Sequence, residues 1–137
     1  TYPFEITGET FGMVGVTAQS VGFPGQYYVA GFALVNMSLT KGKDAKNPPL
    51  PNVEVVMKVL DESGKAVAKP IYTFLPKDLP DDADLAKGNF LPMQFPIYLN
   101  RAGRFQVDVV ATDKSANRTV TLRYPLTVLD LNALGGK

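Results

Sequence analysis

The sequence predicts an all-β fold, a two-sheet antiparallel sandwich of about seven strands. Three observations predict it. Short segments in which apolar residues alternate with polar ones recur along the chain, turn-forming residues separate them at spacings typical of a sandwich, and no segment carries a convincing helical period. The chain has 137 residues, 45% of them hydrophobic and 20% charged. That composition fits one folded domain that is long enough to bury a core.

We predict a single domain over residues 1–130, followed by a C-terminal linker or tail over residues 131–137. The predicted strands cover residues 11–17, 27–39, 53–60, 66–74, 91–99, 104–113 and 118–129. The first strand contains Gly12 and Gly15, which weaken it or mark a bulge. The second strand is apolar on both faces for much of its length, a pattern typical of a central strand, with a bulge near Gly31 as one variant, or of a strand whose outer face is covered.

The strand over residues 104–113 shows a clear alternation and, with the strand before it, organises the chain. Its apolar side chains occupy every second position, at Phe105, Val107, Val109 and Ala111. A period of two buries one face of a strand and leaves the other in water. The last strand repeats the pattern, with inward positions predicted at Val120, Leu122, Tyr124, Leu126 and Val128.

Two long loops and two turns separate the predicted strands. Three prolines forbid regular structure in the loop over residues 40–52. Gly64 predicts a hairpin turn over residues 61–65, because glycine takes positive φ without steric cost. The loop over residues 75–89 has an N-cap and a C-terminal residue suited to one helical turn, Asp81 and Gly88.

The composition excludes several classes of function. The 14 basic and 13 acidic residues give a net charge of +1 without a basic cluster, which argues against nucleic acid as a partner. The chain has no cysteine and no histidine, so disulfides, Cys/His zinc sites and histidine-dependent catalysis are excluded. No run of 18 apolar residues occurs, and we expect no membrane span.

The segment from Gly103 to Asp113, GRFQVDVVATD, turns through Lys114 to Asn117 into a final strand. This arrangement resembles the last hairpin of bacterial immunoglobulin-like and fibronectin-III-like modules, in which an A-G-x-[YF]-x-V strand leads to an A-T-D-x-x-G-N-like turn. The resemblance covers mainly residues 91–129 and implies an immunoglobulin-like sandwich. It also implies a spacer, adhesion unit or binding appendage of a larger exported protein.

Antibody-type domains differ from this chain at defined positions. They carry a tyrosine corner, a buried tryptophan and two cysteines. Phe105 stands where the tyrosine would be, Val107 stands where the second cysteine would be, and the chain has no tryptophan. Antigen-receptor-like domains are thereby excluded, and the broad group of sandwich modules is left.

Aromatic residues give one candidate binding site. Phe23, Tyr27 and Tyr28 bracket Pro24 and Gly25, and an exposed platform there would stack on a sugar or a peptide. The alternative is that these side chains belong to the core. Because Tyr27 and Tyr28 point to opposite faces of a strand, we expect at least one of them to be buried.

Acidic residues give a second candidate site. Asp81, Asp82 and Asp84 place three carboxylates within four residues, and Asp113 would add a fourth if the loops converge. Carboxylate oxygens are ligands that calcium prefers, although the EF-hand spacing is missing. A solvated loop or a helix N-cap explains the same residues without an ion, and no other cofactor is expected. Catalytic carboxylates need a walled pocket that shifts their pKa, and nothing in the sequence indicates one.

The leading hypothesis is a non-enzymatic structural or interaction module of a larger exported protein, located outside the cell, on its surface or in the periplasm. Its partners would be another protein or neighbouring domains of the same chain. The alternative is a carbohydrate- or ligand-binding module, with calcium at the acidic loop. A contiguous apolar patch on a sheet face favours the first hypothesis, an exposed aromatic row favours the second, and a pocket around paired carboxylates would favour an enzyme.

Overall fold

The computed structural model describes residues 10–41, 48–81, 83, 85 and 88–130. Within these residues it contains eight strands and no helix, which confirms the predicted all-β fold. The strands are β1 (Gly12–Ala18), β2 (Val21–Gly22), β3 (Gln26–Val35), β4 (Val53–Asp61), β5 (Ile71–Leu75), β6 (Phe90–Leu99), β7 (Gly103–Asp113) and β8 (Arg118–Val128). The described residues include no helix long and apolar enough to cross a membrane.

The strands form two sheets that make an immunoglobulin-like sandwich. A three-stranded sheet has the order β1-β3-β6, and a five-stranded sheet has the order β2-β8-β7-β4-β5. Neighbouring strands are antiparallel, except that β2 runs parallel to β8. Because β1 and β2 are consecutive in the chain but lie in different sheets, the chain crosses between the sheets after Ala18.

The strand predicted over residues 27–39 is β3, and it is the central strand of its sheet as expected. It pairs with β6 without a break from Gln26 to Val35. It ends earlier than predicted because Asn36 has a φ of 59°, in the left-handed region that regular strands do not use. The chain therefore leaves the sheet at Asn36 rather than at Leu39.

The strand predicted over residues 66–74 is β5, and it begins only at Ile71. Ala66 makes an isolated bridge with Leu60, and the Val67 N–H donates to the Val59 carbonyl at 3.0 Å. Proline lacks the N–H that a ladder needs, and Pro70 directly precedes the regular pairing. The return strand is consequently short.

A bulge interrupts β1 at one of the two glycines that the sequence marks. The register with β3 shifts between Val14 and Thr17. Gly15 lies inside that shift and has a φ of 61°. A glycine in the left-handed region is the usual first residue of such a bulge, so the bulge predicted for this strand is confirmed at Gly15.

The core lies between the two sheets and is built from every second side chain of the long strands. The four inward positions predicted for the strand over residues 104–113 are all buried, which confirms the alternation. The largest side chains with almost no exposure are Tyr28, Leu34, Leu126, Val53, Val55, Val107, Val109, Val128 and Asp113. Asp113 is the polar member of this set, and its surroundings are described below.

Candidate functional site

The outward faces of the two sheets differ in charge. None of the residues in β1, β3 and β6 is charged. In contrast, the five-stranded sheet carries Lys58, Asp108 and Arg123 at matching positions on three neighbouring strands. The Arg123 Nε atom lies 2.6 Å from the Asp108 Oδ1 atom, and this carboxylate raises the pKa of Arg123. Only the three-stranded sheet thus presents a face without charge.

An aromatic pair marks one end of the uncharged face. Tyr27 of β3 and Tyr98 of β6 are direct cross-strand partners. Their ring centroids are 5.0 Å apart at an interplanar angle of 46°, a spacing at which aromatic rings attract each other. Tyr27 is 67% exposed, Tyr98 is 51% exposed, and Phe23 in the preceding loop is 44% exposed. We call these three residues the aromatic corner.

Hydrogen bonds beside the aromatic corner hold the loop that carries Phe23. The Tyr28 hydroxyl donates a hydrogen bond to the Phe23 carbonyl at 2.6 Å. The Gln26 Oε1 atom accepts a hydrogen bond from the Phe23 N–H at 3.0 Å, and the Gly25 N–H donates to the Leu99 carbonyl at 2.8 Å. Gly25 has a φ of 80°, which favours glycine at this turn. The corner is therefore held by the first residues of β3 and the end of β6.

The structure corrects the aromatic platform predicted from the sequence. Tyr28 is completely buried, so it cannot be part of a surface that touches a ligand. Burial also raises its pKa. Tyr27 points to the opposite face, as expected for adjacent strand residues. Tyr98, which the sequence analysis did not single out, takes the place of Tyr28 beside Tyr27; its outward position follows from its alternation with buried Ile97 and Leu99.

A shallow depression runs along the uncharged face beyond the aromatic corner. Its floor is formed by small residues of β3, Gly31 and Ala33, and its volume is about 310 Å³. Val14 and Thr17 border it on the β1 side, and Phe90, Pro92 and Gln94 border it on the β6 side. Because β3 separates these borders, the two flanking backbones are roughly 10 Å apart. Phe90 is 49% exposed at the far end.

A smaller apolar patch lies on the charged face of the other sheet. Tyr72 is 52% exposed and stacks on Phe74 with ring centroids 6.1 Å apart. Val56 and Val110 are cross-strand partners on this face and lie beside Tyr72. Lys58 and Asp108 border this patch, so it does not extend into a continuous apolar surface.

The acidic residues predicted to bind calcium are only partly described by the structure. Asp81 is exposed, whereas Asp82 and Asp84 lie outside the described residues. Asp113 is completely buried. Its Oδ2 atom accepts a hydrogen bond from the Ser38 N–H at 2.7 Å, and its Oδ1 atom accepts from the N–H groups of Ser115 and Ala116 at 3.2 and 3.3 Å.

Asp113 therefore has a structural role, because both of its oxygens are engaged by backbone donors. It ties the loop after β3 to the turn between β7 and β8. Among the residues that the structure describes, no group of three potential metal-ligating side chains occurs. The cluster predicted at Asp81, Asp82 and Asp84 stays a prediction.

A polar depression lies between the turn after β4 and the corner between β6 and β7. Its lining includes Asp61, Ser63 and Arg101. Hydrogen bonds from Ser63 and Lys65, together with the charge of Arg101, lower the pKa of Asp61. A lowered pKa keeps this carboxylate ionised, whereas a general acid at neutral pH needs a raised one. The polar groups that line the depression therefore stabilise the turn after β4, and Asp61 lacks the pKa of a general acid.

Comparisons with known proteins give information on the fold of this chain. No family model and no curated protein matches the chain. Among solved structures, a CARDB domain from Pyrococcus furiosus, determined in complex with di-metal ions, is similar with a TM-score of 0.50 and 11% identity. That similarity covers 92% of this chain and 95% of that one.

A second similar structure is a family 123 glycoside hydrolase from Clostridium perfringens, studied for glycolipid glycan hydrolysis. Its TM-score is 0.51 and its identity is 11%. The similarity covers 82% of this chain but only 23% of the hydrolase chain. Both comparisons bear on the β-sandwich fold alone.

Proposed function

We propose that this chain is a non-catalytic immunoglobulin-like module of a larger exported or cell-surface protein, and that it contacts a protein partner or a neighbouring domain through the outer face of its three-stranded sheet. The observation that carries the proposal is the absence of charge from β1, β3 and β6 together with the exposed aromatic corner. Protein interfaces are depleted of charge at their centre and enriched in aromatic residues.

The energetics favour burial of this face against another surface. Tyr27 and Tyr98 each expose more than half of their area, and Phe90 exposes 49%. Complete burial of a large apolar side chain contributes about 1.5–3 kcal/mol. A partner covering the corner and the depression would bury all three. No charged group in the three strands would have to lose its hydration, a cost that weakens many surface contacts.

A domain of this fold can form one part of a longer chain. The similar region of the glycoside hydrolase spans about a quarter of that protein. A β-sandwich is a scaffold on which many functions occur, so the function of such a module depends on what its surface presents. We extend the proposal to an extracellular, surface or periplasmic location on the basis of the resemblance to exported modules.

Carbohydrate binding is the second candidate, and the Tyr27–Tyr98 pair favours it. Two exposed rings can stack on a sugar. A sugar, however, presents many hydroxyl groups that need hydrogen-bond partners once they are buried. Among the described side chains that line the depression, Thr17 and Gln94 can supply them, and the hydroxyl groups of Tyr27 and Tyr98 add two more at the aromatic corner. These few groups would leave most hydroxyls of a buried sugar without a partner. The protein partner is therefore the better-supported proposal.

A photocrosslinking experiment in the longer parent protein tests the proposal. A photoreactive phenylalanine analogue replaces Tyr98 on the uncharged face or, as the matched control, Tyr72 on the charged face. We expect defined peptide adducts from the Tyr98 position, few from the Tyr72 position, and a loss of adducts when Tyr27→Ser is added. Equal labelling at both positions would contradict the proposal. Binding to a glycan array that disappears in Tyr27→Ser would support the carbohydrate alternative instead.

A further inference from the structure

The outer strand β6 of the three-stranded sheet cannot accept another strand in a regular way. Its odd-numbered residues bond towards β3, as shown by the Leu99 carbonyl, which accepts from Gly25. Its even-numbered residues consequently face the free edge. Pro92 and Pro96 are two of them, and proline has no N–H to donate. Two of the four edge positions from residue 92 to residue 98 therefore lack a backbone N–H donor.

The other outer strand of this sheet, β1, is closed by its bulge. One extra residue lies between Val14 and Thr17, and Gly15 takes a left-handed conformation. A bulge twists an edge strand and breaks the regular spacing of its donors and acceptors. Neither outer strand of the three-stranded sheet offers a continuous backbone ladder.

The outer strand β5 of the five-stranded sheet is closed by the turn that follows it. The Phe74 N–H donates to the Asp78 Oδ2 atom at 2.8 Å, and the Asp78 N–H donates to the Phe74 carbonyl at 2.7 Å. Asp78 thereby makes the two hydrogen bonds with the Phe74 backbone that a partner strand would make. Tyr72 lies two residues before Phe74 on the same edge. Pro70 lies two residues before Tyr72 and has no backbone N–H to donate.

The remaining edge, β8, differs from these three because most of it is open. The N–H groups of Thr127 and Leu129 donate to the carbonyls of Ser20 and Gly22, both at 2.8 Å. Odd-numbered residues of β8 therefore face away from β7, and β2 covers only the end of the strand. Earlier along the edge, the outward backbone positions are Thr119, Thr121 and Arg123, which have no strand partner on that side among the described residues.

The core beneath the open part of β8 is incompletely covered. Tyr124, Leu126 and Val128 are buried on the inward face, whereas Val120 and Leu122 on the same face are only half-buried. The buried Tyr124 hydroxyl has no hydrogen-bond partner. Arg118, at the start of the strand, is exposed and lies on the same side of the strand as Val120 and Leu122. Both the backbone and the apolar side chains at this edge would gain contacts from an added strand.

We propose that the open edge of β8 binds an extended peptide segment by β-strand addition. The backbone of the segment pairs with Thr119, Thr121 and Arg123, and two alternate apolar side chains of the segment cover Val120 and Leu122. The next residue of the segment in the same alternation is Asp or Glu, and its carboxylate pairs with Arg118. Main-chain hydrogen bonds supply affinity in this mode of recognition, and alternate side chains supply specificity.

The charge of Arg118 decides which kind of segment fits best. In the described residues no carboxylate forms an ion pair with this guanidinium. Arg123, in contrast, is already paired with Asp108. A segment with an acidic residue at one end of its apolar alternation is thus complementary to this edge, whereas a basic residue there would be repelled. This surface is separate from the uncharged face, so the two proposals fail independently.

The test uses a phage-displayed library of random dodecapeptides selected against the intact domain. We expect selected peptides to alternate apolar residues and to carry Asp or Glu at one end of the alternation. Thr121→Pro removes the central outward N–H without disturbing the ladder to β7, since Pro125 already occupies an equivalent position on this strand. The affinity of the peptides for this variant is expected to fall about tenfold or more. Thr121→Val, which keeps the N–H, is the matched control.

Two further readouts keep the result interpretable. Binding should slow hydrogen exchange at the amides of Thr119, Thr121 and Arg123 in the wild-type domain, a measurement that does not require the proline variant to fold. Selection against Arg118→Ser should yield peptides without the acidic preference. Peptides that bind Thr121→Pro and Thr121→Val equally, or that leave exchange at these amides unchanged, would overturn the proposal, as would a selection that yields no binder.

Discussion

Replacement of Gly22 by alanine tests how the aromatic corner is held. Gly22 lies over the buried ring of Tyr28, and a β-carbon at this position would be 2.3 Å from the Tyr28 Cε1 atom. It would also be 2.6 Å from the Gln26 Oε1 atom and 2.8 Å from the Tyr28 hydroxyl oxygen. Ordinary contacts between carbon atoms are about 3.5–4.0 Å. The tyrosine ring would therefore have to move by more than about 1 Å.

The expected loss of stability follows from these contacts. Tyr28 is completely buried, so its ring has no free space to enter. Overpacking of a dense core costs about 1–3 kcal/mol. Movement of the ring also weakens the 2.6 Å hydrogen bond to the Phe23 carbonyl, which adds about 0.5–1.5 kcal/mol. We expect Gly22→Ala to lower the free energy of unfolding by about 2–4 kcal/mol, or the Tm by roughly 6–16 °C.

Thermal and urea unfolding of Gly22→Ala and Gly88→Ala measure this effect. Gly88 is the matched control, because a β-carbon there would meet no atom within 4 Å. Alanine at an open position leaves stability unchanged or raises it by about 0.4–1 kcal/mol through the unfolded state. If Gly22→Ala were as stable as Gly88→Ala, the close packing of the loop on Tyr28 would be wrong, and with it the fixed position of Phe23.

Three further predictions concern buried and acidic groups. Asp113→Ala leaves three backbone N–H groups without their acceptor; we expect a loss of about 3 kcal/mol or more in urea unfolding, while exposed Asp81→Ala changes little. Burial raises the pKa of Tyr124 to about 12, so its contribution to stability is complete below pH 10 and is lost as the pH rises through 12; Tyr124→Phe should flatten the decline of stability in that range, and an equal decline in both proteins would contradict the assignment. The calcium hypothesis predicts that millimolar calcium raises the Tm by several degrees over a chelator control and that Asp81→Asn reduces the rise; an unchanged midpoint contradicts it.

The period of two in the sequence was enough to predict the strands β7 and β8 and their inward faces. It succeeded for β7 because apolar residues occupy every inward position from Phe105 to Ala111, whereas the outward positions are polar apart from Val110, so the phase of burial is determined. It could not determine the phase of β3, which is apolar on both faces. The sequence therefore left open whether Tyr27 or Tyr28 is buried, and only the packing of the two sheets decides it.

Other features could not be predicted because they depend on contacts distant in sequence. The strand β2 has two residues and no period; it exists because Thr127 and Leu129 donate hydrogen bonds to this segment. The role of Tyr98 depends on its pairing with Tyr27 across 71 residues of chain, a register that follows from the unbroken ladder between β3 and β6. The buried Asp113 carboxylate depends likewise on Ser38, which contributes one of the three N–H groups that it binds.

The two sheets are protected against unwanted association in opposite ways, and this contrast supports two separate modes of contact. The three-stranded sheet closes its edges with Pro92, Pro96 and the bulge at Gly15, yet its face carries no charge that would repel another protein. Contact there must use side chains and shape. The five-stranded sheet covers its face with charges such as Lys58 but leaves the edge at Thr121 open, where contact must use the backbone. A change to Tyr98 should consequently affect only the first mode, and Thr121→Pro only the second.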